Sequence, residues 1–388
     1  MAGWARADGH GSYRPVGKES VKILNKFRYI LSKNADVPIH LVHFITNKCN
    51  AACRHCFIFD EGQKERYGGR EMSVGEIEKV TKGFMKDKLS HVSLTGGEIF
   101  LRDDIGEIAR MYVKNAHVNS MLLATNGYFT DRIVNAARKI SVENPQLDLV
   151  ISLSVDDLFL EHDKNRNVEG LFDHLMETYR ELVGLRGRFS INIALTCSVF
   201  NQESIMQTYE FVKKNMHAAS VSCIATRGKP LESKAANYDP EKFDNLWASI
   251  EKNTRSKNGK KIYYNFKNGS DILSAKNMIC RRIVTKTLRE NKYISPCYAG
   301  ILSGVLHSNG SVYPCELLDM KMGTIQEYDY NFHNLWKSEN SRQVRDFIRK
   351  THCFCTYECA WTLNILFNVR YYPELFFNYL KTKFCPPL

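Results

Sequence analysis

Residues 39–46, "IHLVHFIT", are followed at once by three cysteines, Cys49, Cys53 and Cys56, in C-x3-C-x2-C spacing. The eight residues are nearly continuous in apolar character and rich in β-branched side chains, which is typical of a strand buried on both faces of a parallel sheet. The cysteines therefore lie on a loop at the carboxyl end of this strand. Ligand sites of parallel α/β folds form at that edge.

Five later segments resemble this strand and alternate with helical patterns; they are residues 91–96, 119–126, 147–155, 189–199 and 218–226. Ser73 and Glu76 have the spacing of a capping box. Asp104 and Glu107 have the same spacing, and Thr130 precedes another helical segment. Six strand–helix units with right-handed crossovers predict an α/β fold, namely a partial (βα)6 TIM-like barrel. An open doubly wound sheet gives the same pattern, so periodicity alone leaves closure open.

Composition divides the chain into four predicted parts. Residues 1–37 form a basic segment, amphipathic over residues 18–33, and residues 38–226 carry the alternating pattern. Residues 227–296 form a basic connector in which the alternation is lost. Residues 297–388 are rich in cysteine and aromatic residues, and include a predicted hairpin that turns at Asn309 and Gly310. We place a domain boundary near residue 296.

The overall composition is that of a globular protein, with 388 residues of which 44% are hydrophobic and 25% charged. Neither a signal peptide nor an apolar run of about 18 residues is visible, so we expect a cytoplasmic protein rather than a membrane-spanning one. Twelve cysteines in a reducing compartment argue for metal ligation or catalysis rather than disulfides. The net charge of +12 is concentrated in residues 255–292, which hold eleven Lys and Arg against two acids. Lys and Arg there could hold a phosphate or pyrophosphate. The alternative is a solvated charged face.

Three thiolates on one loop favour a metal centre. Iron–sulfur clusters and zinc both take cysteine ligands. A cluster of four irons needs one ligand per iron, so Cys49, Cys53 and Cys56 would leave one iron open. A zinc ion would need a fourth ligand, which His55 could supply. Spacing alone leaves both possibilities.

The segments around the triplet make one family resemblance specific. "LTGGEIF" (94–100) ends the second predicted strand, "ATNG" (124–127) the third and "SLSVDD" (152–157) the fourth. Over about the first 230 residues, the chain resembles the radical S-adenosylmethionine (SAM) enzymes. The resemblance implies a 4Fe–4S cluster held by Cys49, Cys53 and Cys56. It implies SAM contacts from Phe57, Gly96, Gly97, Glu98, Thr125, Asn126, Ser154 and Asp156, and Arg227 is a further candidate contact with SAM or substrate.

The resemblance also implies a reaction. In these enzymes SAM binds the open iron, and one electron cleaves it to methionine and a 5′-deoxyadenosyl radical that removes hydrogen from a substrate carbon. An electron donor such as flavodoxin or ferredoxin would be a partner. No catalytic side chain of the protein itself is indicated.

The C-terminal cysteines resemble the SPASM/Twitch extension of the same enzymes. Cys297, a hairpin and Cys315 are followed by "HCFCTYEC" (352–359). This resemblance implies one auxiliary 4Fe–4S cluster, held by Cys297, Cys315 and Cys359, with Cys353 or Cys355 in the fourth place. A structural zinc site of four cysteines stays open as the alternative. Cys197, Cys223 and Cys280 lie in strand or helix patterns and are expected to be buried.

The expected function is a radical SAM enzyme of the oxidoreductase or epimerase type. We expect an anionic small-molecule or carrier-linked substrate, that is, a phosphorylated, nucleotide-linked or lipid-linked carbohydrate-like metabolite, with the auxiliary cluster as electron outlet. One alternative is a peptide maturase that forms a thioether or carbon–carbon crosslink. The other is a non-catalytic iron–sulfur or zinc protein that binds nucleic acid, whereas the main interpretation involves no specific nucleic acid.

The aromatic end of the chain leaves a choice between packing and membrane contact. Residues 361–384 contain eight aromatics, flanked by Lys381 and Lys383. We expect these aromatics to pack on the cysteine-rich domain. The alternative is a peripheral contact at the inner membrane surface, since aromatic and basic side chains together suit the headgroup layer.

Overall fold

The computed structural model describes residues 36–58, 68–185, 187–254, 263 and 270–384. The amphipathic helix predicted over residues 18–33 lies outside the described residues. Among the described helices, none has the length and apolar character required to cross a bilayer.

The described residues form one mixed sheet of nine strands in the order β6-β5-β4-β3-β2-β1-β7-β8-β9. The first six strands pair in parallel, β7 adds to β1 in parallel, and β8 and β9 follow antiparallel. The strands are β1 His40–Thr46, β2 His91–Gly96, β3 Ser120–Thr125, β4 Asp148–Ser154, β5 Phe189–Cys197, β6 Ser220–Ala225, β7 Ser303–Leu306, β8 Ser311–Tyr313 and β9 Gly323–Thr324.

The described α-helices pack against the strands and against one another. They are α1 Val74–Lys82, α2 Ile105–Ala116, α3 Thr130–Glu143, α4 Phe159–Arg166, α5 Leu171–Gly184, α6 Ile205–Asn215, α7 Pro240–Lys252, α8 Ser270–Glu290, α9 Phe332–Lys337, α10 Glu339–Lys350, α11 Glu358–Leu366 and α12 Tyr372–Phe384. Apolar side chains on their inner faces, such as Ile77, Ile108 and Leu175, join the main core with Leu41 and Leu94 of the strands.

The fold expected from the pattern is confirmed. All six predicted strands are present and parallel, and β6 and β9 stand at the two edges of the described sheet, consistent with a partial barrel rather than a closed one. The capping box at Ser73 and Glu76 is also confirmed. The one at Asp104 is wrong, because the Asp104 side chain makes no cap bond and instead accepts hydrogen bonds of 2.8 and 2.6 Å from Arg102.

The C-terminal region is built onto the same sheet. Its predicted hairpin is confirmed: β7 and β8 pair through Val305 with Tyr313 and Leu306 with Val312. Gly310 has φ +92 at the turn, a backbone conformation that favours glycine. The boundary predicted near residue 296 stays a prediction.

The described part of the connector region contains the two α-helices α7 and α8. Helix α8 packs against α7, α11 and α12. Cys197, Cys223 and Cys280 are buried, as predicted.

Candidate cofactor-binding site

The three-cysteine loop faces a cavity of about 230 Å³ at the carboxyl ends of the strands. Cys49, Cys53 and Cys56 all line this cavity. Backbone bonds to the end of α4 fix the loop: the Ala52 N–H donates to the Arg166 carbonyl at 3.2 Å and the Arg54 N–H to the Asn165 carbonyl at 3.0 Å. The structure thus brings together the three thiols that the sequence analysis singled out.

Two glycines let β2 approach this loop closely. A Cβ on Gly96, which has φ +144, would lie 2.0 Å from the Thr46 carbonyl oxygen, and one on Gly97 would lie 2.1 Å from the Lys48 carbonyl oxygen. The Gly97 N–H instead donates to the Thr46 carbonyl at 2.9 Å. Only glycine fits this approach, which places the following residue, Glu98, at the cavity wall.

Glu98 is a carboxylate fixed by the end of the next strand. It is buried and accepts hydrogen bonds from the Thr125 hydroxyl at 2.8 Å, the Asn126 N–H at 2.8 Å and the Phe100 N–H at 3.1 Å. Burial raises the pKa of Glu98, whereas these donors stabilise the charged form. A preorganised carboxylate of this kind suits an ammonium group. The "GGE" and "TN" segments therefore act as one unit, which their separate positions in the sequence do not reveal.

Asp156 is linked to the cavity through an arginine. It is buried and does not line the cavity; Arg166 does, and the two side chains form an ion pair at 2.6 Å. Burial alone would raise the pKa of Asp156, but the charges of Arg166 and of nearby His55 and His162 lower it to about 2. Asp156 thus orients Arg166 toward the thiols. Its proposed contact with SAM stays a prediction.

The environment of the three-cysteine loop couples cluster binding to the release of protons from its thiols. Burial raises the pKa of Cys53 to about 12 and that of Cys56 to about 11, although the Arg166 charge acts in the opposite direction on both. Metal ligation requires thiolates, so binding a cluster here releases protons.

The other predicted contacts also reach the cavity. Phe57, Thr125, Asn126 and Ser154 line it. So does Arg227, which is not a free cation: it pairs with Glu316 at 2.7 Å and with Glu358 at 3.5 Å. Its guanidinium also lies 5.8 Å from the centre of the Phe57 ring.

A second cavity, of about 190 Å³, is lined by four cysteines, Cys297, Cys315, Cys353 and Cys355. Apolar side chains such as Leu317, Ile348 and Trp361 complete its wall. The sequence leaves open whether Cys353 or Cys355 is the fourth ligand, and both residues line this cavity. Four thiols are the number that a fully ligated four-iron cluster takes.

Cys359 does not line the second cavity. It lines a small neighbouring cavity together with Tyr357, Ser303 and His40, and Cys315 lines both cavities. Among the cysteines that the structure describes, it alone is exposed. Its position therefore gives no support to the predicted role as an auxiliary ligand, which stays a prediction.

Cysteines line both cavities, three in the first and four in the second. A tetrahedral zinc holds its sulfur ligands at about 2.3 Å. Within the described ranges, no three His, Cys, Asp or Glu side chains lie close enough to hold one metal ion. His55, considered above as a fourth zinc ligand, lies 3.6 Å from the Asp156 carboxylate.

The two cavities meet at consecutive residues, a feature that the sequence analysis missed. Cys315 lines the second cavity and Glu316 lines the first. The Tyr357 hydroxyl donates to the Glu316 carboxylate at 2.7 Å, opposite the bond from Arg227. The sequence places Glu316 directly after the candidate ligand Cys315, and this position could have indicated that Glu316 lies near the auxiliary site. No motif in the sequence indicates that Arg166 lies near the three-cysteine loop.

Comparisons with known proteins agree with this architecture. The family model for the radical SAM superfamily matches residues 44–212, and the model for the SPASM iron–sulfur cluster-binding domain matches residues 297–360. A probable GTP 3′,8-cyclase of Methanococcus maripaludis is 27% identical over 42% of this chain and 52% of its own length. The subtilosin biosynthesis protein AlbA of Bacillus subtilis is 24% identical over 80% of this chain and 64% of its own. The chain thus spans about half the length of the first of these relatives and under two thirds of the second.

Solved structures share the fold. Streptococcus suis SuiB bound to S-adenosylmethionine superposes with a TM-score of 0.59 and 16% identity, covering 86% of this chain and 74% of that one. Native anSMEcpe with bound SAM superposes with a TM-score of 0.56 and 18% identity, covering 89% of this chain and 96% of that one. The chain therefore carries a radical SAM domain over residues 44–212 and a SPASM iron–sulfur cluster-binding domain over residues 297–360, and the cofactors of these domains are SAM, a SAM-binding 4Fe–4S cluster and auxiliary iron–sulfur clusters.

Proposed function

We propose that this protein is a radical SAM oxidoreductase that removes hydrogen from a carbon of a carrier-linked, carbohydrate-like metabolite, with an auxiliary cluster as electron outlet. The observation that carries the proposal is the adjacency of the two cavities, which consecutive residues, Cys315 and Glu316, line from either side. Dehydrogenation of an alcohol carbon needs an outlet for one electron, and this arrangement supplies a short path.

The first cavity would hold SAM and its cluster through residues that line it. When bound, SAM and its cluster would supply the radical chemistry that removes a hydrogen atom from the substrate carbon. Cys49, Cys53 and Cys56 hold the cluster. Glu98 would bind the ammonium of the methionine moiety, and Phe57 would contact the adenine. Ser154 contributes a hydroxyl to the same wall.

The second cavity holds the auxiliary cluster through Cys297, Cys315, Cys353 and Cys355. Four protein ligands leave no iron open to substrate, so this centre serves electron transfer rather than substrate binding. The path toward the first cavity runs through the peptide bond between Cys315 and Glu316 and then through the Arg227 guanidinium, 2.7 Å from the Glu316 carboxylate.

Charge around the first cavity limits how an anionic substrate binds. Arg166 and Arg227, which line it, are both paired with carboxylates. The arginines of α8 are largely paired as well: Arg281 with Asp244 at 2.9 Å and Arg282 with Glu374 at 2.8 Å. We therefore place the anionic part of the substrate, its carrier, outside the cavity and the reacting carbon inside it.

A peptide maturase is the second candidate. AlbA, a bacteriocin biosynthesis protein, aligns with 80% of this chain. SuiB has been solved with its precursor peptide and anSMEcpe with a peptide, and both share the fold. A peptide would need no cationic pocket, which agrees with the paired arginines. The discriminating result is a mass change in a candidate peptide on incubation with the reduced holoenzyme.

The experiment that tests the first proposal uses deuterated water and sugar alcohols linked to a phosphate, nucleotide or lipid carrier. Dehydrogenation gives a carbonyl product without deuterium on the attacked carbon. Epimerisation from an exchangeable donor installs deuterium there and would remove the need for an electron outlet. No turnover of any carrier-linked sugar, together with modification of a peptide, would move the assignment to the second candidate.

A further inference from the structure

The last described helix, α12, has its apolar side turned toward solvent. Phe376, Phe377 and Phe384 are 65%, 67% and 68% exposed, and Leu380 between them is exposed as well. The opposite side of the helix carries Leu375, Asn378 and Thr382, which are buried, and α12 packs there against α8. A surface helix of a globular protein has the reverse arrangement. A contiguous group of exposed apolar side chains indicates a binding surface.

Basic side chains border this face. Lys381 and Lys383 lie on the same helix, and no ion pair joins either of them to another described residue. A groove of about 490 Å³ among α7, α8 and α12 continues from Lys381 to Lys286, which is likewise without an ion pair among the residues described. Four carboxylates also line the groove: Asp244, Glu251 and Glu374 are paired with arginines of α8, and Glu290 is paired with Lys292. The exposed aromatic face and the unpaired lysines are therefore neighbours on one side of the molecule. We call them together the α12 surface.

We propose that the α12 surface binds an anionic lipid bilayer. Its aromatic rings would enter the headgroup layer while Lys381, Lys383 and Lys286 contact lipid phosphates, an arrangement in which apolar and electrostatic contributions add. The net charge of +12 favours the same partner.

The charge of the α12 surface argues against two other occupants, a second copy of this chain and the N-terminal segment. A second copy packed through a twofold axis would bring Lys381 and Lys383 of both copies together around the apolar contact. Residues 1–35 hold seven Lys and Arg against two acids, so this segment would meet the same lysines with like charge. A bilayer of anionic lipid is the occupant whose charge is complementary.

The inference stands on the α12 surface alone and does not rest on the proposed reaction. Where both hold, the carrier of the substrate would be a lipid, and the enzyme would take it from the membrane to which it binds. That consequence narrows the substrate class to a lipid-linked metabolite.

The test is co-sedimentation of the full-length, anaerobically reconstituted holoenzyme with vesicles. Phosphatidylcholine vesicles are compared with vesicles containing 30% phosphatidylglycerol, at about 0.05 M and 0.5 M salt, where the Debye length falls several-fold. We expect at least tenfold tighter binding to the anionic vesicles at low salt. Phe376→Ser with Phe377→Ser should lower binding at least tenfold at both salt concentrations. Lys381→Gln with Lys383→Gln should lower it at low salt only.

Matched controls lie on exposed positions elsewhere. Val142→Ser on α3 and Lys114→Gln on α2 replace similar side chains and should bind like the wild type. 5′-Deoxyadenosine formation without substrate should be unchanged in all these variants, which separates failure of the membrane inference from failure of the proposed enzyme.

Three results would overturn the inference. The first is a wild type that sediments with neither vesicle. The second is a wild-type dimer that Phe376→Ser with Phe377→Ser converts to a monomer, which would assign the face to a second copy. The third is vesicle binding that appears only after Leu24→Ser with Phe27→Ser, which would assign the face to the N-terminal segment.

Discussion

Arg227, just past β6, and Glu316, next to Cys315 of the SPASM region, form an ion pair with 2.7 Å between nitrogen and oxygen. Both side chains are largely buried, and Arg227 also approaches Glu358 at 3.5 Å. Residues 89 positions apart in the chain are thus joined where the two cofactor cavities meet. This pair fixes the C-terminal cysteines relative to the SAM site.

Arg227→Met should destabilise the protein more than Glu316→Gln. The first change leaves two buried carboxylates without their cation, whereas the second leaves Arg227 with Glu358. Removing one partner of a buried pair costs about 3–5 kcal/mol in the free energy of unfolding, so Arg227→Met should fall in that range and Glu316→Gln below it. Urea unfolding measures both.

The control for these variants is an exposed ion pair. Arg282→Met breaks the ion pair between Arg282 and Glu374, two half-exposed side chains. This change should lower the free energy of unfolding by no more than about 1 kcal/mol. If Arg227→Met cost no more than Arg282→Met, the pair would not hold the two regions together.

Gly97→Ala should disrupt the SAM site through the backbone. The added Cβ would lie 2.1 Å from the Lys48 carbonyl oxygen, so β2 and the cysteine loop must move apart. We expect SAM affinity, measured by calorimetry on the holoenzyme, to fall at least tenfold. Gly75→Ala is the control, because a Cβ at this helical position meets nothing within 4 Å and should leave affinity unchanged. Equal SAM affinity in both variants would contradict the described approach.

His43 should make stability depend on pH in mildly acidic solution. It is fully buried on β1 and accepts a hydrogen bond from, or donates one to, the Tyr112 hydroxyl at 2.9 Å. Burial, with the charge of Arg102, lowers the pKa of His43 from 6.5 to about 3. The unfolded chain therefore binds a proton below pH 6.5 that the folded chain does not, so this stabilisation is complete above pH 6.5 and is lost as pH falls toward 3.

The measurement is unfolding free energy at pH 7 and pH 5. His43→Asn should reduce the loss between these values by about 2 kcal/mol relative to the wild type, as expected for one histidine kept neutral. Tyr112→Phe removes the hydrogen bond but not the burial, so it should lower stability by about 1 kcal/mol at both pH values. An unchanged slope in His43→Asn would show that this histidine is not kept neutral.

The auxiliary ligand set makes a prediction for iron content. Cys353→Ala and Cys355→Ala should each lose the auxiliary cluster, since both thiols line the second cavity. Cys359→Ala should keep it, because Cys359 does not line the second cavity. Iron and sulfide analysis with electron paramagnetic resonance of the reduced proteins reads this out. Loss of the cluster in Cys359→Ala with retention in Cys353→Ala would reverse the assignment.

The sequence predicts local features of this fold well. Each of the six parallel strands is a short apolar segment, and the glycines and Glu98 sit at strand ends, so topology alone brings them to one edge. Sequence could not show that Asp156 faces Arg166 rather than the cavity, nor that Cys355 and Cys359, four residues apart, reach different cavities. Those outcomes depend on side-chain direction and on long-range packing. The basic stretch likewise gave no sign that Arg281 and Arg282 would be neutralised by Asp244 and Glu374.

The most direct test of the account is made on anaerobically reconstituted wild type, Cys56→Ala and Cys315→Ala, by iron content and by 5′-deoxyadenosine formation after dithionite reduction with SAM. The account predicts about eight irons and cleavage in the wild type, from two four-iron clusters. Cys56→Ala should lose cleavage and about half the iron, whereas Cys315→Ala should lose a similar amount of iron but keep cleavage. Absence of cleavage in the wild type, or loss of both clusters from either single change, would contradict two separate centres with SAM cleavage at the first.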